Sequence, residues 1–510
     1  MPGLMLKHTL QSLLCSTLLI HGFTQPALAH NGEVHDDANA ITTILPDCQI
    51  LTATRLFDGL NFPQENMAVL IEGNTVKKVD SPEKLSNLCN NRINLGDATI
   101  LPGFIESHAH ITFQNVRKDK VLRQGITTAQ DTGGPLMAPI GGQGSLRLLS
   151  VGPILQAQGG YPSNVFGGTS GYDQIGYTIN SVAEAQEAVK HLVDGGATAI
   201  KIALEPGGET GAPWMQPHGS DPVPATPWPM LSEDIVKAIV AKAHELNKRV
   251  IAHVGENKGF ERALAGGVDE FAHMPCAEIR EDLLKRAVDQ KVTFVTTIDT
   301  LASCVDTTTH KGIHSNTMSL AAKGAKFIYG SEIAHDNVPW GINGEEFHMM
   351  LHLTSGESID FTDVMNVIKA ATSKAGERLG IPGLGTLAPG APADLIAVKG
   401  NPFEKFKLLE YPDLVISGGR TIVNEFRNTS LTSIDYGCLF NWAEQKYPAL
   451  FAPAGAFTRY SDKYSYRHYG KFNSYLGVSA DSHNLMYIGP DGKMQSAGAI
   501  TDLMTAAGCH

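Results

Sequence analysis

Apolar runs of strand length alternate with longer helix-like segments between residues 103 and 379. Such alternation is typical of a parallel sheet covered by helices. The candidate strands are 103–110, 125–131, 149–157, 198–204, 249–255, 269–273, 292–299 and 325–332. The candidate helices include 181–194, 232–246 and 361–379. Eight strands favour a closed (β/α)8 TIM-type barrel over an open doubly wound sheet, and no Gly-x-Gly-x-x-Gly turn follows the first strand.

Short apolar runs flank this α/β region on both sides. They occupy residues 48–53, 67–72, 74–79, 393–398 and 414–419. Glu72-Gly73-Asn74 has the residues of a hairpin turn between two of them. We predict that the two groups combine into one small composite β-sandwich.

After residue 424 the composition changes, and the tyrosine-rich residues 437–510 predict a separate small α+β module. The chain is therefore predicted to be an α/β protein with five segments. These are a signal peptide at 1–29, an N-terminal tail with the first part of the sandwich at 30–101, the barrel at 102–382, the second part of the sandwich at 383–424, and a small C-terminal module of unknown role at 430–510.

The first 29 residues have the features of a cleavable secretory leader. Lys7 gives a short positive region, Leu13 to Phe23 is largely apolar, and Ala27-Leu28-Ala29 is a small-x-small cleavage site. The apolar stretch is too short for a permanent membrane anchor, and no later segment has the ~18 uninterrupted apolar residues of a spanning helix. We expect cleavage after Ala29 and a periplasmic or secreted protein.

Removing the leader, which contains Cys15, leaves six of the seven cysteines. An even number in an exported chain favours disulfides, although six cysteines allow many connectivities. Each predicted domain or local region holds two, which favours the pairs Cys48–Cys89, Cys276–Cys304 and Cys438–Cys509. The alternative is buried free thiols.

Charge and composition exclude some partners. Of the 510 residues, 42% are hydrophobic and 18% are charged, which is ordinary for a globular protein. The net charge is −12 and no basic run is present. These features argue against nucleic acid or an anionic membrane as the main partner, and favour a small-molecule ligand. A homo-oligomer is compatible with this composition.

Polar, potentially metal-binding residues stand at the ends of the predicted barrel strands. They are His108, His110, Lys201, His253, His273 and Glu332. Side chains two apart on a strand share a face, so His108 and His110 can bind one ion together. Barrel enzymes place their chemistry at the carboxyl ends of their strands. Zinc accepts nitrogen and oxygen ligands, and the set predicts a zinc-dependent hydrolase, with other divalent metals as alternatives.

The ordered series His-x-His, Lys, His, His, acid resembles the amidohydrolase superfamily, in its imidazolonepropionase-like and Xaa-Pro dipeptidase-like branch. The matching segments are Leu101-Pro102-Gly103-Phe104-Ile105-Glu106-Ser107-His108-Ala109-His110, Gly125-Ile126-Thr127-Thr128-Ala129-Gln130-Asp131 and Gly385-Thr386-Leu387-Ala388-Pro389-Gly390-Ala391-Pro392-Ala393-Asp394-Leu395. The resemblance implies that His108 and His110 hold the more buried of two ions. It also implies that His253 and His273 hold the second, and that Lys201, carboxylated by CO₂, bridges them.

Glu332 occupies the position where that family has an aspartate that both binds metal and shuttles a proton. The extra methylene displaces the carboxylate, and metal geometry tolerates only small ligand errors. Three outcomes stay open: Glu332 serves through another rotamer, Asp336 takes over part of the role, or the site holds a single ion.

The resemblance implies hydrolysis of a C–N bond by metal-activated hydroxide, with Glu332 and Lys201 as catalytic residues. Amides, dipeptides and cyclic amides are the expected substrates, and Arg123, Tyr161 and His335 are candidate substrate contacts. The alternatives are a lactonase or organophosphate-type esterase with the same metal site, or a non-catalytic exported binding protein on a decayed barrel.

Overall fold

The computed structural model describes residues 46–207, 227–302, 304–306, 309–335, 338–356, 358–426, 436–448, 457–461, 466–469, 474–478, 484–488 and 493–509. The predicted leader at 1–29, most of the tail that follows it, and Asp336 lie outside these residues. The chain forms two compact units, Met1–Asn424 and Glu425–His510.

Five strands and one short helix precede the barrel. They are β1 (Cys48–Leu56), β2 (Gln64–Glu72), β3 (Thr75–Asp80), α1 (Pro82–Leu85), β4 (Arg92–Asn94) and β5 (Ala98–Pro102). β1, β2 and β3 pair in antiparallel order, and the predicted turn at Gly73 joins β2 to β3 with a left-handed φ of 56°. Glycine adopts this conformation without steric cost, which explains its place in the turn.

Eight parallel strands follow with side chains that are mostly buried. They are β6 (Phe104–Ala109), β7 (Ile126–Asp131), β8 (Arg147–Ser150), β11 (Ile200–Ala203), β12 (Val250–His253), β13 (Glu270–Phe271), β14 (Thr293–Val295) and β15 (Lys326–Ile328). Two further short strands, β9 (Ile154–Gln156) and β10 (Gly176–Thr178), extend the sheet beside β11. The predicted strand 149–157 is thus divided between β8 and β9. The division falls at Gly152, with φ of 73°, and Pro153, which has no N–H to donate to a ladder.

The parallel strands form two sheets, in the orders β6-β7-β8 and β10-β9-β11-β12-β13-β14-β15. Single backbone hydrogen bonds join them at both edges. Thr198 N donates to Ser150 O at 2.9 Å, and His110 N donates to Ile333 O at 3.0 Å. The eight strands predicted from the apolar pattern therefore follow one another around the two joined sheets, and their carboxyl ends lie on the same side.

Helices cover the strands. They are α2 (Lys118–Arg123), α3 (Ser163–Phe166), α4 (Val182–Asp194), α5 (Glu233–Glu245), α6 (Asn257–Gly266), α7 (Glu281–Asp289), α8 (Ile313–Ala322), α9 (Gly344–Thr354), α10 (Phe361–Ala370) and α11 (Ser373–Leu379). Ser232 caps α5, because its hydroxyl accepts a hydrogen bond from Ile235 N.

The predicted helix 361–379 is two helices. The break lies at Thr372, whose hydroxyl donates to Ile368 O at 2.8 Å. Beside it, the carbonyls of Ala370 and Ala371 accept hydrogen bonds from Tyr329 N and Ile105 N. The helix ends here because its carbonyls pair with the barrel strand β6 and with the residue that follows β15.

The chain then returns to the first sheet through β16 (Leu395–Lys399), a 3₁₀ helix (Phe406–Glu410), β17 (Leu414–Ser417) and β18 (Arg420–Asn424). β16 pairs antiparallel with β5, from Leu395 opposite Pro102 to Lys399 opposite Ala98. The result is one eight-stranded sheet in the order β18-β17-β16-β5-β1-β2-β3, with β4 beside β1. Strands from both flanks of the barrel share this sheet.

The C-terminal unit contains α12 (Tyr436–Lys446), β19 (Phe457–Ser461), β20 (Tyr466–Tyr469), β21 (Ser474–Val478), β22 (Asn484–Ile488), β23 (Met494–Ala499) and α13 (Ile500–Ala507). The strands form an antiparallel sheet in sequence order. Leu439 and Phe440 of α12 pack with Leu476, Leu485 and Ile500 in a small core of their own.

Three disulfides join the pairs that the sequence analysis expected: Cys48–Cys89, Cys276–Cys304 and Cys438–Cys509. The first lies in the flanking sheet, the second in the barrel unit and the third in the C-terminal unit. Within the described part of the chain, no helix is long and apolar enough to cross a membrane.

A buried ion cluster lies where β12 and β13 begin. Arg378 of α11 donates to both carboxylate oxygens of Glu270, and Arg249 donates to the same carboxylate at 2.7 Å. Arg378 also donates to Gln130 at 2.6 Å. The Glu270 side chain is 1% exposed and that of Arg378 is 6% exposed. The cluster ties α11 to three barrel strands.

We predict that Arg378→Met destabilises the barrel unit by about 3–5 kcal/mol, because it removes one partner of a buried carboxylate. Urea denaturation followed by circular dichroism measures the change. Arg280→Met is the matched control, since it breaks an exposed pair with Asp282 and is expected to leave the midpoint unchanged. Equal midpoints for the wild type and Arg378→Met would contradict a stabilising role for the cluster.

Candidate metal centre

Five of the six predicted metal-binding residues lie near or beyond the carboxyl end of a barrel strand, and the sixth, Lys201, is the second residue of β11. His108 lies in β6 and His110 follows it, Lys201 lies in the short β11, and His253 ends β12. His273 and Glu332 lie in the segments that follow β13 and β15. All are buried except His110, whose side chain is 19% exposed. Parallel strands bring these distant positions of the chain to one side of the barrel.

The distances show one compact cluster. The rings of His108 and His273 have centroids 4.3 Å apart, and the rings of His253 and His273 are 5.2 Å apart. His108, His273 and Glu332 each offer one ligand atom within 4.8 Å of the others. The Glu332 oxygens lie 3.7 Å from His273 Nδ1 and 3.9 Å from His110 Nε2.

Burial favours the neutral form of His108, His110 and His273. It lowers the pKa of His108 and His273 well below the usual value, and the nearby Lys201 amine lowers the pKa of each further. The same two causes lower the pKa of His110 to about 3. A neutral imidazole is the form that binds a metal ion.

Lys201 is almost completely buried in the barrel, at 1% exposure. Burial lowers the pKa of its amine to about 7, against the opposing charges of Glu332 and Glu270. A neutral amine is therefore available near neutral pH. Such an amine is the nucleophilic form of lysine.

The donor set fits a divalent cation. Nδ1 of His108 is buried and has no hydrogen-bond partner among the described residues. Unsatisfied buried polar atoms are rare in native structures and indicate a ligand or ion. Imidazole nitrogens and a carboxylate are the ligands that zinc uses in catalytic sites. His108, His110, His253, His273 and Glu332 are the residues that could hold such an ion.

Glu106 aligns the strand ends that carry the centre. Its carboxyl group accepts hydrogen bonds from His108 N and from both the amide and the hydroxyl of Ser331. Burial raises the pKa of Glu106 to about 8. Glu332, the residue after Ser331, has a backbone φ of 63°. A left-handed backbone at a buried glutamate costs of order 1–3 kcal/mol and is typical of functional sites.

Three residues that were not predicted from the sequence contact the histidines of the centre. Thr132 Oγ1 lies 3.0 Å from His108 Nε2, and Thr297 Oγ1 lies 3.2 Å from His273 Nδ1. The Glu205 carboxylate lies 2.5 Å from His253 Nε2. Each follows a barrel strand by one or two residues. A polar residue just after a predicted barrel strand is the sequence signal that could have identified these three residues.

The candidate substrate contacts are placed differently. Tyr161 is buried and stacks on the His253 ring at 4.4 Å. His335 lies beside the centre, because its backbone N donates a hydrogen bond to Glu332 O at 3.0 Å. Arg123 is exposed and ends α2, three residues before β7 begins. Because it precedes its strand, Arg123 lies towards the amino end of the barrel, and the structure does not bring it to the cluster.

A model of the amidohydrolase family matches residues 99–422, well over half of the chain. The chain belongs to the amidohydrolase family. This membership agrees with the predicted superfamily and with the predicted enzyme class, a hydrolase acting on carbon–nitrogen bonds. No curated protein sequence matches the chain significantly.

Solved structures of amidohydrolases are similar in fold. A Xaa-Pro dipeptidase with bound methionine in the active site is 22% identical, with 73% of this chain and 99% of that chain covered and a TM-score of 0.58. A prolidase complexed with N-methylphosphonate-L-proline is 22% identical, with 74% and 100% covered and a TM-score of 0.59. A. niger ochratoxinase is 19% identical, with 74% and 96% covered and a TM-score of 0.58. The shared fold is a TIM barrel with mixed α and β content.

We predict that Lys201→Met stabilises the metal-free protein, and that the gain falls as pH rises from about 7 to about 10.5. The folded-state pKa of Lys201 is about 7, below that of an exposed lysine, so the unfolded chain binds more protons within this window. The free-energy cost of burying the charged Lys201 amine is present in full below about pH 7 and disappears above about pH 10.5. Denaturant unfolding in CO₂-free buffer at several pH values measures the gain.

Lys77→Met is the control for that experiment, because Lys77 lies on an exposed strand of the flanking sheet. Its effect on stability should not follow the same pH course. A gain from Lys201→Met that is independent of pH would contradict a buried amine with a lowered pKa.

Proposed function

We propose that this chain is an exported, metal-dependent amidohydrolase that cleaves a C–N bond in an amide, a dipeptide or a cyclic amide. The observation that carries the proposal is the convergence of four histidines, a buried lysine and a buried glutamate at the carboxyl side of the barrel. A binding protein on a decayed barrel has no need to keep all six residues together.

In this proposal the histidines hold the metal in two pairs. His108 and His110 hold one ion, and His253 and His273 hold the second. Zinc is the metal that these nitrogen and oxygen donors suit best, and other divalent ions are alternatives. A divalent ion held there would lower the pKa of water and polarise the scissile carbonyl.

Lys201 would join the two pairs as a carbamate. The neutral amine attacks the carbon of CO₂, a new N–C bond forms as one C–O π bond opens, and the nitrogen loses a proton to solvent. The carboxylate that results has two oxygens that could serve as metal ligands. The lowered pKa of Lys201 supports this step, since the amine must be unprotonated to react.

Glu332 would act as the proton carrier. Its carboxylate takes a proton from the attacking water and returns it to the nitrogen as the C–N bond breaks. Its position between His110 and His273 supports the role, because both oxygens lie within 4 Å of these rings. Glutamate in place of the family's aspartate leaves a single-ion centre as the alternative.

The substrate would be a small molecule held beside the centre. Tyr161 and His335 are the candidate contacts among the described residues. The names of the similar structures, a Xaa-Pro dipeptidase, a prolidase and an ochratoxinase, support this range of amide substrates.

The organisation of the chain completes the proposal. Three disulfides and the leader-like first 29 residues support export to the periplasm or the medium. The composite eight-stranded sheet would form the family's small β-sandwich, and residues 430–510 would form an accessory module. Assembly into a homo-oligomer is compatible with this arrangement.

A panel of dipeptides, N-acyl amino acids, cyclic amides, lactones and organophosphates tests the proposal with the zinc-loaded protein. We expect turnover of amides, and a kcat about 10²–10⁴-fold lower for Glu332→Gln, because the amide cannot carry the proton. Glu345→Gln is the control, since Glu345 is exposed in the first turn of α9. Turnover of lactones or organophosphates alone, or an unchanged kcat for Glu332→Gln, would contradict the proposal.

A further inference from the structure

The hydrogen-bond partner of His253 differs in charge from the partners of His108 and His273. The His108 and His273 rings contact the neutral hydroxyls of Thr132 and Thr297. His253 instead has a carboxylate partner, with Glu205 Oε2 at 2.5 Å from Nε2. The pair is buried, at 2% exposure for the His253 side chain and 3% for Glu205.

This contact determines which nitrogen of His253 carries the proton. A carboxylate accepts hydrogen bonds, so Nε2 must donate. In the neutral form of the ring the lone pair is then on Nδ1, and Nδ1 is the nitrogen able to bind an ion. The ring itself lies beside the centre, 5.2 Å from the His273 ring.

Aromatic stacking also restricts the His253 ring. Tyr161 stacks on His253 with the ring planes 19° apart, and Trp228 stacks on Tyr161 at 6.1 Å. A hydrogen bond at the edge and a stacked ring on the face together restrict rotation of the imidazole. His253 is therefore held in one orientation before any ligand binds.

Stability alone does not explain a carboxylate here. Burying a charged group costs more free energy than burying a neutral one that makes the same hydrogen bond. Glutamine at this position would still accept a hydrogen bond from Nε2. What glutamate adds is negative charge on the far side of the imidazole, which makes the ligating nitrogen more basic.

We propose that Glu205 is a positioning residue that fixes His253 as the Nε2–H tautomer and strengthens its bond to the second ion. The inference rests on the proposed metal centre and deepens it. It assigns to Glu205 a role that acts through His253 and does not require contact with the substrate.

The first test measures zinc affinity by competition with a chelator, starting from metal-depleted protein. Glu205→Gln should weaken one zinc ion about 10–100-fold and leave the other unchanged. His253→Ala should lose that ion. The double variant Glu205→Gln/His253→Ala should bind zinc as His253→Ala alone does. Asp269→Asn is the matched control, because Asp269 forms a similar pair with the half-exposed His244 at 2.9 Å. That control should bind zinc as the wild type does.

The second test needs no metal and no activity. In metal-free protein labelled with ¹⁵N-histidine, the signal that His253→Ala removes should show the Nε2–H tautomer in the wild type. In Glu205→Ala the same signal should show mixed tautomers. Because this readout is independent of hydrolysis, it separates a failure of the Glu205 inference from a failure of the proposed function.

Two results would overturn the inference. The first is wild-type zinc affinity in Glu205→Gln together with an unchanged tautomer in Glu205→Ala. The second is loss of an ion in Glu205→Gln while His253→Ala keeps it, because Glu205 would then be the ligand itself. Far-UV circular dichroism and retention of the other ion establish that the variants are folded.

Discussion

The structure depends on one constraint, which is the burial of titratable side chains at the carboxyl ends of the barrel strands. His108, Lys201, His273 and Glu332 are each no more than 2% exposed, and burial shifts the pKa of His108, Lys201 and His273 towards the uncharged form. An uncompensated cluster of this kind is expensive to fold. A divalent cation would offset that cost, because it would satisfy the neutral imidazoles and the glutamate at once. In the proposed metal centre, ion binding and the stability of the barrel would therefore depend on the same side chains.

The surrounding chain is organised to hold this cluster. Glu106 joins the ends of β6 and β15 through His108 N and Ser331, and it thereby orients both the His-x-His pair and Glu332. Where β13 begins, Glu270 pairs with Arg378, and the pair anchors the neighbouring strands. Hydroxyls and a carboxylate then fix the individual rings. Rigid strands and specific partners together give the preorganisation that catalysis needs.

The sequence predicted the eight strands and the six clustered residues because both follow local rules, namely apolar runs and their carboxyl ends. It did not predict the division of the strand 149–157, because the Gly-Pro pair that causes it lies within an apolar run. It did not predict the division of the helix 361–379, because that division depends on hydrogen bonds to distant segments. Arg123 was proposed from its charge alone, and only the topology shows that it precedes its strand. Glu205 was missed because its partner is 48 positions away.

Metal analysis by mass spectrometry of the purified mature protein tests the central claim most directly, with Lys201→Ala measured beside it. We expect about two zinc-like ions per chain in the wild type and fewer in the variant. One ion per chain that is insensitive to Lys201 would contradict the bridged centre and indicate a single-ion enzyme. A folded chain that takes up no metal even after reloading would contradict the metal centre itself.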